Sequence, residues 1–485
     1  VAGWTGSLYD SDVYILKLDS KGRIDTTPPE VAIISPSDGE LLGGTIEINI
    51  DAIDDVELEK VTLYIDGNKI KEYTSRPYKY SWDSSKAAEG AYTITAEAVD
   101  RSGNVGTKSV TLVMDKIKDV SWQKTFGGND DDGAESIQQT TDGGYIVAGW
   151  TDSFGSGYDV YVLKLNSKGQ LEWQKTFGGK DFDVANSIQQ TTDGGYIVAG
   201  WTNSFGSGRK DVYILKFNSK GDVEWQKTFG GKDDDVAYSI QKTADGGYIV
   251  TGWTNSFGSG GTDVYILKLN SKGDFEWQKT FDGIRWDEAH SIQQTTDGGY
   301  IVAGGTNSFG SGESDVHILK LDAKGDVEWQ KTFGGKKDDE ANSIQQTTDG
   351  GYIAAGWTKS FGSGGSDVYI LKLNSKGDVE WEKTFGGEKD DEANLIQQTT
   401  DGGYIAVGWT KSFGSGGYDV YILKLNAKGQ LEWQKTFGEK YDDVANSVQQ
   451  TTDGGYIVAG WTYYSGFAGK DLYILKLDSK GELEE

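Results

Sequence analysis

One aspartate returns at a fixed place through most of this 485-residue chain. It stands six residues after the phenylalanine that ends each WQKTF-like segment, at Asp132, Asp183, Asp235, Asp287, Asp339, Asp391 and Asp443. The preceding residue is usually a second aspartate, as at Asp131, Asp234, Asp338, Asp390 and Asp442. Paired carboxylates on a loop are hard oxygen donors suited to Ca²⁺. These five pairs are therefore the candidate metal ligands, and Ca²⁺ is the one cofactor to consider. Their spacing is not that of an EF-hand loop. The competing reading makes the constant aspartate an acceptor of backbone N–H bonds that fixes the turn.

A second candidate lies where the pattern breaks. Between Phe281 and Phe333 the loop that reads GGKDDDVAY in the previous copy becomes DGIRWDEAH, which introduces Ile284, Arg285, Trp286 and His290. In the same unit a recurrent tryptophan becomes Gly305 and a recurrent tyrosine becomes His317, so both histidines of the chain fall there. Arg285, Trp286 and His290 around a floor at Gly305 would form a pocket for a carbohydrate or an anionic group. Alternatively Trp286 fills the space above Gly305, or the unit has drifted. His317, further along its strand, reads as an ordinary packed histidine.

The elements that carry these residues repeat with a period of about 52 residues. The tetrad DGGY marks it at Asp142, Asp193, Asp245, Asp297, Asp349, Asp401 and Asp453. Each unit holds an alternating run, the DGGY turn, a YIVAGWT run, a Gly/Ser loop, a DVYILKL run, an SKGD-like turn and a WQKTF run. These are four strands a, b, c and d, with no 3.6-residue apolar stripe. An all-β chain with four strands per unit at this period predicts a β-propeller. Strands b and c occur eight times, a and d seven times. The expectation is eight blades with the first and last incomplete, and seven blades with a spare b/c hairpin is the alternative. The chain opens with Val in mid-motif, so a processed or partial polypeptide is expected, with the missing strands outside it. Exposed edges left by incomplete blades would be templates for pairing with another copy.

Two tryptophan columns recur. Trp150, Trp201, Trp253, Trp357, Trp409 and Trp461 end strand b, while Trp122, Trp173, Trp225, Trp277, Trp329, Trp381 and Trp433 sit in strand d. Both are expected to pack between neighbouring sheets, and exposed rings at a propeller mouth would instead be platforms for sugars.

Residues 25–117 break the period and hold all four prolines, Pro28, Pro29, Pro36 and Pro77. Short strands with turns between them predict a β-sandwich. Thr27–Pro29, Tyr64–Gly67, Pro77–Trp82 and Asp100–Asn104 resemble the bacterial immunoglobulin-like modules of secreted and surface proteins. The repeats in turn resemble the DGGYIVAGW-type propeller repeats of bacterial and archaeal surface proteins. They share the phase of WD40 blades without the Gly-His and Trp-Asp dipeptides. These resemblances imply fold and an extracellular location, not an activity. The expected organisation is a propeller from 1–24 and 118–485, with the sandwich inserted in the first blade between strands c and d. The sandwich would then stand off the face opposite the acidic loops.

A net charge of −28 repels nucleic acid and anionic membranes. No apolar stretch of 18 residues occurs, so no membrane insertion is expected in this region. There is no cysteine, no metalloprotease motif and no phosphate loop. Near-identical blades argue against catalysis, which needs dissimilar residues at one point, although carboxylate pairs leave a polysaccharide-active enzyme as the least favoured reading. The expectation is a non-enzymatic cell-surface protein for interaction, adhesion or assembly, with copies of itself, surface proteins or glycans as partners. A lectin-like propeller is the alternative.

Overall fold

The computed structural model describes residues 2–7, 10–15, 25–36, 45–55, 57–83, 90–114, 121–281, 283–463 and 469–483, and every regular element among them is a β-strand. The chain divides into two compact units, Val1–Asp119 and Val120–Glu485.

In the first unit, β1 (Ala2–Ser7) and β2 (Asp10–Ile15) form a two-stranded antiparallel sheet of their own. The remainder has a three-stranded sheet in the order β3-β4-β7 (Glu30–Ser35, Thr45–Ile53, Tyr78–Asp83). Its second sheet runs β6-β5-β8-β9 (Asn68–Tyr73, Leu58–Ile65, Gly90–Asp100, Val105–Met114). Alternate residues such as Ile46, Ile48, Ile50, Val61, Leu63, Ile94 and Leu112 share one core, as the period of two requires. Asp66 and Gly67, both at positive φ, make the tight β5–β6 hairpin. The Asp100–Asn104 turn is held by Asp100 Oδ1, which accepts N–H bonds from Ser102 (2.6 Å) and Asn104 (3.0 Å).

The second unit is built from seven four-stranded antiparallel sheets. The first is β11–β14 (Asp132–Gln139, Tyr145–Thr151, Asp159–Leu165, Leu171–Phe177), in the sequence-predicted order a, b, c, d. The pattern repeats at β15–β18 (183–229), β19–β22 (235–281), β23–β26 (287–333), β27–β30 (339–385) and β31–β34 (391–437). The seventh sheet contains β35 (Asp443–Gln450), β36 (Tyr456–Tyr463) and β37 (Lys470–Leu477), and its outer strand is β10 (Trp122–Phe126). Here the observed pairing differs from the expectation. Strand β10 is not the fourth strand of a first blade containing β1 and β2; it pairs with β37, Gln123 opposite Leu475 and Thr125 opposite Tyr473. The WQKTF run that follows the sandwich is nearly the same as those ending the other units, so it fits the open edge of any c strand. The edge of the last sheet, expected to be unpaired, is thereby filled. The second unit thus holds seven four-stranded sheets, while β1 and β2, among the described strands, pair only with each other, in the first compact unit.

Strands b and c are almost wholly buried, the strand-b tryptophan excepted, and mostly apolar, whereas strand d is more exposed and in the first sheet alternates. Both faces of each sheet are covered by its neighbours, which removes the alternation from b and c. Ile197, Ala199, Val212 and Ile214 of the second sheet, for example, pack on Ile240, Tyr248, Val250, Tyr265 and Leu267 of the third. Ile457, Ala459, Leu472 and Ile474 of the seventh meet Ile137, Tyr145, Tyr161 and Leu163 of the first in the same way.

The a strands are joined directly from sheet to sheet. Gln190 N–H donates to Gln138 Oε1, and the same bond links Lys242 to Gln189, Gln294 to Gln241, Gln346 to Gln293, Gln398 to Gln345 and Gln450 to Gln397. The series returns to its start, because Gln139 N–H donates to Gln449 Oε1 at 2.6 Å.

Each DGGY turn is a polar staple. Asp245 Oδ1 accepts the Gly247 N–H at 2.9 Å and the Thr243 hydroxyl, and Lys268 Nζ, almost fully buried, bridges Asp245 (2.9 Å) and Glu276 (3.1 Å). Strand b carries a second constraint. A β-bulge between Ala237 and Ser239 brings the Val236 carbonyl against Gly252, so a Cβ there would overlap the Val236 oxygen. Gly149, Gly200, Gly304, Gly356, Gly408 and Gly460 meet the equivalent carbonyls. Gly252→Ala is expected to destabilise the unit by about 1–3 kcal/mol through overpacking. Thermal unfolding followed by circular dichroism checks this, and an unchanged midpoint would contradict the close approach.

Candidate functional site

The d-to-a and b-to-c loops lie together on one face of the sheets. Asn307 N–H donates to the Trp286 carbonyl at 2.7 Å, and Ser207 Oγ donates to the Gly231 carbonyl at 2.7 Å. The constant aspartates sit beneath these loops and are buried. Asp235 Oδ2 accepts the Gly231 N–H (2.8 Å) and the Ser256 hydroxyl (2.6 Å), while Oδ1 accepts the Thr254 hydroxyl. Asp132, Asp287, Asp339 and Asp391 make the same three bonds. Asp443 accepts from Glu439 N–H and the Thr462 hydroxyl.

The preceding aspartates brace the neighbouring loop. Asp131 accepts the Lys470 N–H (2.8 Å), Asp234 the Lys210 N–H (3.2 Å), Asp390 the Ser366 N–H (3.1 Å) and Asp442 the Tyr418 N–H (3.0 Å). Asp338 pairs with Lys359 at 3.0 Å. Protein donors thus surround the carboxylates that the sequence offers as Ca²⁺ ligands, as the turn-fixing alternative requires.

The carboxylate facing each constant aspartate comes from elsewhere. The aspartate that opens strand c lies across a glycine from it, so that a Cβ at Gly230 would sit between Asp211 Oδ1 and Asp235 Oδ2. Burial, opposed by backbone N–H bonds and reinforced by the facing charge of Asp391, pushes Asp367 up to about 6. Asp159, Asp211, Asp443 and Asp471 are likewise raised, with burial first among the causes. The signal was present in the sequence as the invariant first residue of each DVYILKL run.

The divergent unit does not assemble as one pocket. Trp286 is 62% exposed, and its ring lies towards Gly261 in the preceding b-to-c loop, beside the Arg285 backbone. Gly305 faces the other way, towards Glu340 and Ser314 of the neighbouring loop and sheet. Trp286 therefore does not fill the space above Gly305, and Arg285 and Trp286 stand apart from His290 and Gly305. What His290 and Gly305 share is Glu340, which the sequence reading did not single out. His290 Nε2 lies 2.7 Å from Glu340 Oε1 and 3.8 Å from Glu288 Oε1. Its ring stacks on Tyr238, centroids 4.8 Å apart at 26°. The clue was a column reading Val184, Val236, Glu288, Glu340, Glu392. His317 is a packed histidine, as expected: it is buried beside Phe309, and burial pushes its imidazole down to about 4.

The two tryptophan columns differ. Strand-d indoles pack between sheets as expected, Trp225 edge-on to Tyr248 at 6.3 Å and under Gly273 of the next hairpin. Strand-b indoles, partly exposed as those of strand d are, end their strands at the loop face, where Lys210 lies over Trp201 (4.2 Å), Lys359 over Trp357 (5.2 Å) and Lys470 over Trp461 (3.8 Å).

Known domains match both kinds of unit. Residues 29–96 match a bacterial Ig domain, and residues 140–172 and 243–276 match a domain of unknown function described as a beta-propeller (DUF5122). Regulatory protein FlaEY of Caulobacter vibrioides is 23% identical over 424 residues, which cover 80% of this chain; the chain spans 42% of that protein's length. Among solved structures, the Pan2 WD40 domain of Neurospora crassa is similar over 72% of this chain and 90% of its own at 12% identity and a TM-score of 0.43. Sqt1 of Chaetomium thermophilum is similar over 70% and 82% at 10% identity and a TM-score of 0.42. At such scores these two carry no argument, and the architecture rests on the strand pairing. The chain thus joins an Ig-like domain to propeller-type repeats in an all-β protein.

The carboxylates give stability an unusual pH dependence. Burial raises Glu135 and Glu392 to about 7, against an ordinary value near 4.3. Together with the raised aspartates, these groups bind protons in the fold before they do so in the unfolded chain, so their contribution grows as pH falls from about 7 towards 4. His317 acts in the opposite direction across part of that range, since its folded value is depressed. Asp193, Asp245, Asp297 and Asp349 oppose burial with bonds from threonine, lysine and glycine and are held down to about 2, so their contribution is lost as pH falls from about 4 to 2. The thermal midpoint is expected to be higher at about pH 5 than at about pH 7.5, and to fall steeply below about pH 4. Calorimetry across this range tests it, and a monotonic fall from neutral pH would contradict the raised acids. Asp235→Ala, which leaves three donors unpaired, is expected to cost about 2–3 kcal/mol. The same calorimetry reads this as a lower midpoint at neutral pH.

Proposed function

We propose that this is a non-enzymatic extracellular protein of the cell surface, whose seven sheets form a closed seven-bladed propeller and whose loop face is the contact surface for other proteins or copies of itself. The observation that carries this reading is the recurrence of a partly exposed strand-b indole at that face, in six of the seven sheets. Repetition of one aromatic contact multiplies a binding surface, whereas catalysis needs dissimilar groups at one point. The Ig-like unit fits the same role as a spacer or anchor module, and the described residues include no helix long and apolar enough to cross a membrane.

A lectin-like reading is favoured by the same rings, since indoles with lysines above them suit the faces of sugars. The test uses the full chain with Trp201, Trp357 and Trp409 each changed to Ala. Protease shaving of intact producing cells is expected to remove the protein, and binding of the purified protein to those cells to fall about 10-fold or more in the triple variant, at about 0.5–1.5 kcal/mol per lost ring. Inhibition by soluble glycans would select the lectin reading. A protected protein, or undiminished binding by a folded triple variant, would overturn the proposal.

A further inference from the structure

We propose that Glu288, His290 and Glu340 bind a divalent first-row transition-metal ion, Zn²⁺ foremost, at the inner strands of the fourth and fifth sheets. One ligand atom from each of the three falls within a 4.8 Å cluster. Two carboxylate oxygens and one imidazole nitrogen form a mixed donor set that suits Zn²⁺ and leaves an open position. Bonds of 2.0–2.1 Å in a tetrahedral site set neighbouring donors about 3.3 Å apart, and the distances from Nε2 to the two carboxylates, 2.7 and 3.8 Å, bracket that spacing.

The state of Nε2 is the independent observation. It is shut off from solvent and makes no aligned hydrogen bond. Glu340 Oε1 faces it at ion-pair distance with Glu288 Oε1 just beyond, so the three ligand atoms turn towards one point that a cation would share.

His290 and Gly305, two of the departures from the repeat, serve this arrangement. His290 is the bulge residue between Ala289 and Ser291, which re-aims its side chain, and Tyr238 stacking fixes the ring plane. In the first and third sheets the strand-b indole covers the equivalent position: Trp150 Nε1–H donates to Glu135 at 3.0 Å, and Trp253 Nε1–H to Tyr238 Oη at 3.2 Å. Gly305 removes that indole from the sheet in which the position is histidine. A Cβ at 305 would already lie 3.2 Å from Glu340 Cγ. The site is distinct from the indole contact surface and does not depend on it.

The experiment titrates the full chain, freed of metal by a chelator, with Co²⁺ and then Zn²⁺. One equivalent of Co²⁺ is expected to give the visible d–d absorption of a four- or five-coordinate site, abolished by one equivalent of Zn²⁺ and not by a large excess of Ca²⁺. His290→Ala and Glu340→Gln are each expected to lose Zn²⁺ affinity by more than the roughly 10–100-fold seen when only an outer-sphere partner is removed. Gly305→Trp, which restores the residue of the other six sheets, should close the site while the melting profile stays intact. His317→Tyr should leave binding unchanged. No Co²⁺ spectrum in the parent protein, or a spectrum that survives His290→Ala, would overturn the proposal and leave a plain His290–Glu340 ion pair.

Discussion

The pairing of β10 with β37 is the interaction on which the second unit depends. Without it the seventh sheet would end at strand c, with a row of free backbone groups and the apolar side of β37 uncovered. With it, the seventh sheet has the same four strands as the others. The hydrogen bonds between inner strands then run from sheet to sheet and return from the seventh to the first. No sheet in this unit ends the series, so each has a neighbour on both faces. That is why strands b and c can be mostly apolar and buried while the inner and outer strands are mixed.

A second theme is the use of carboxylates as internal fasteners. The chain is strongly acidic, yet the recurrent acids are not merely surface charge. The aspartate of each DGGY turn is held by a hydroxyl, an N–H and a buried ammonium. The constant aspartate of the d-to-a loop ties three backbone and hydroxyl donors together beneath the loop face. Facing aspartates from strand c place some of these groups under mutual repulsion, and the backbone donors around them make that tolerable. An array that reuses one loop seven times reuses its electrostatic strain as well.

Strand positions were legible in the sequence because alternation, turn residues and period agreed. The count of sheets was not, for a specific reason: the WQKTF run after the sandwich nearly matches the others, and nothing local says which c strand it will join. The loop pair Asp131/Asp132 was visible as a pattern, but adjacency in sequence suggested a shared ligand where the fold turns the two side chains to different donors. The true partner of Asp235 is Asp211, more than twenty positions earlier. Similarly, Arg285, Trp286, His290 and Gly305 stood out because they broke the repeat, yet only two of them came together. Glu340, which joins those two, was inconspicuous because glutamate also occupies its column in the adjacent units. The strand-d indoles pack between sheets as expected, whereas the strand-b indoles, at the loop face, meet nearby lysines and tyrosines instead.

The closing pair also orders events in time. Gln123 and Tyr473, bonded at 2.9 Å, are 350 residues apart in the chain. During synthesis β10 leaves the ribosome long before β37, its partner in the fold. The entropic cost of closing so long a loop grows only slowly with length, but the wait itself remains. Strand β10 must therefore wait for its partner while the six sheets between them are made, and its short length, five residues, with lysine and glutamine among them, limits what else it can join in the interval.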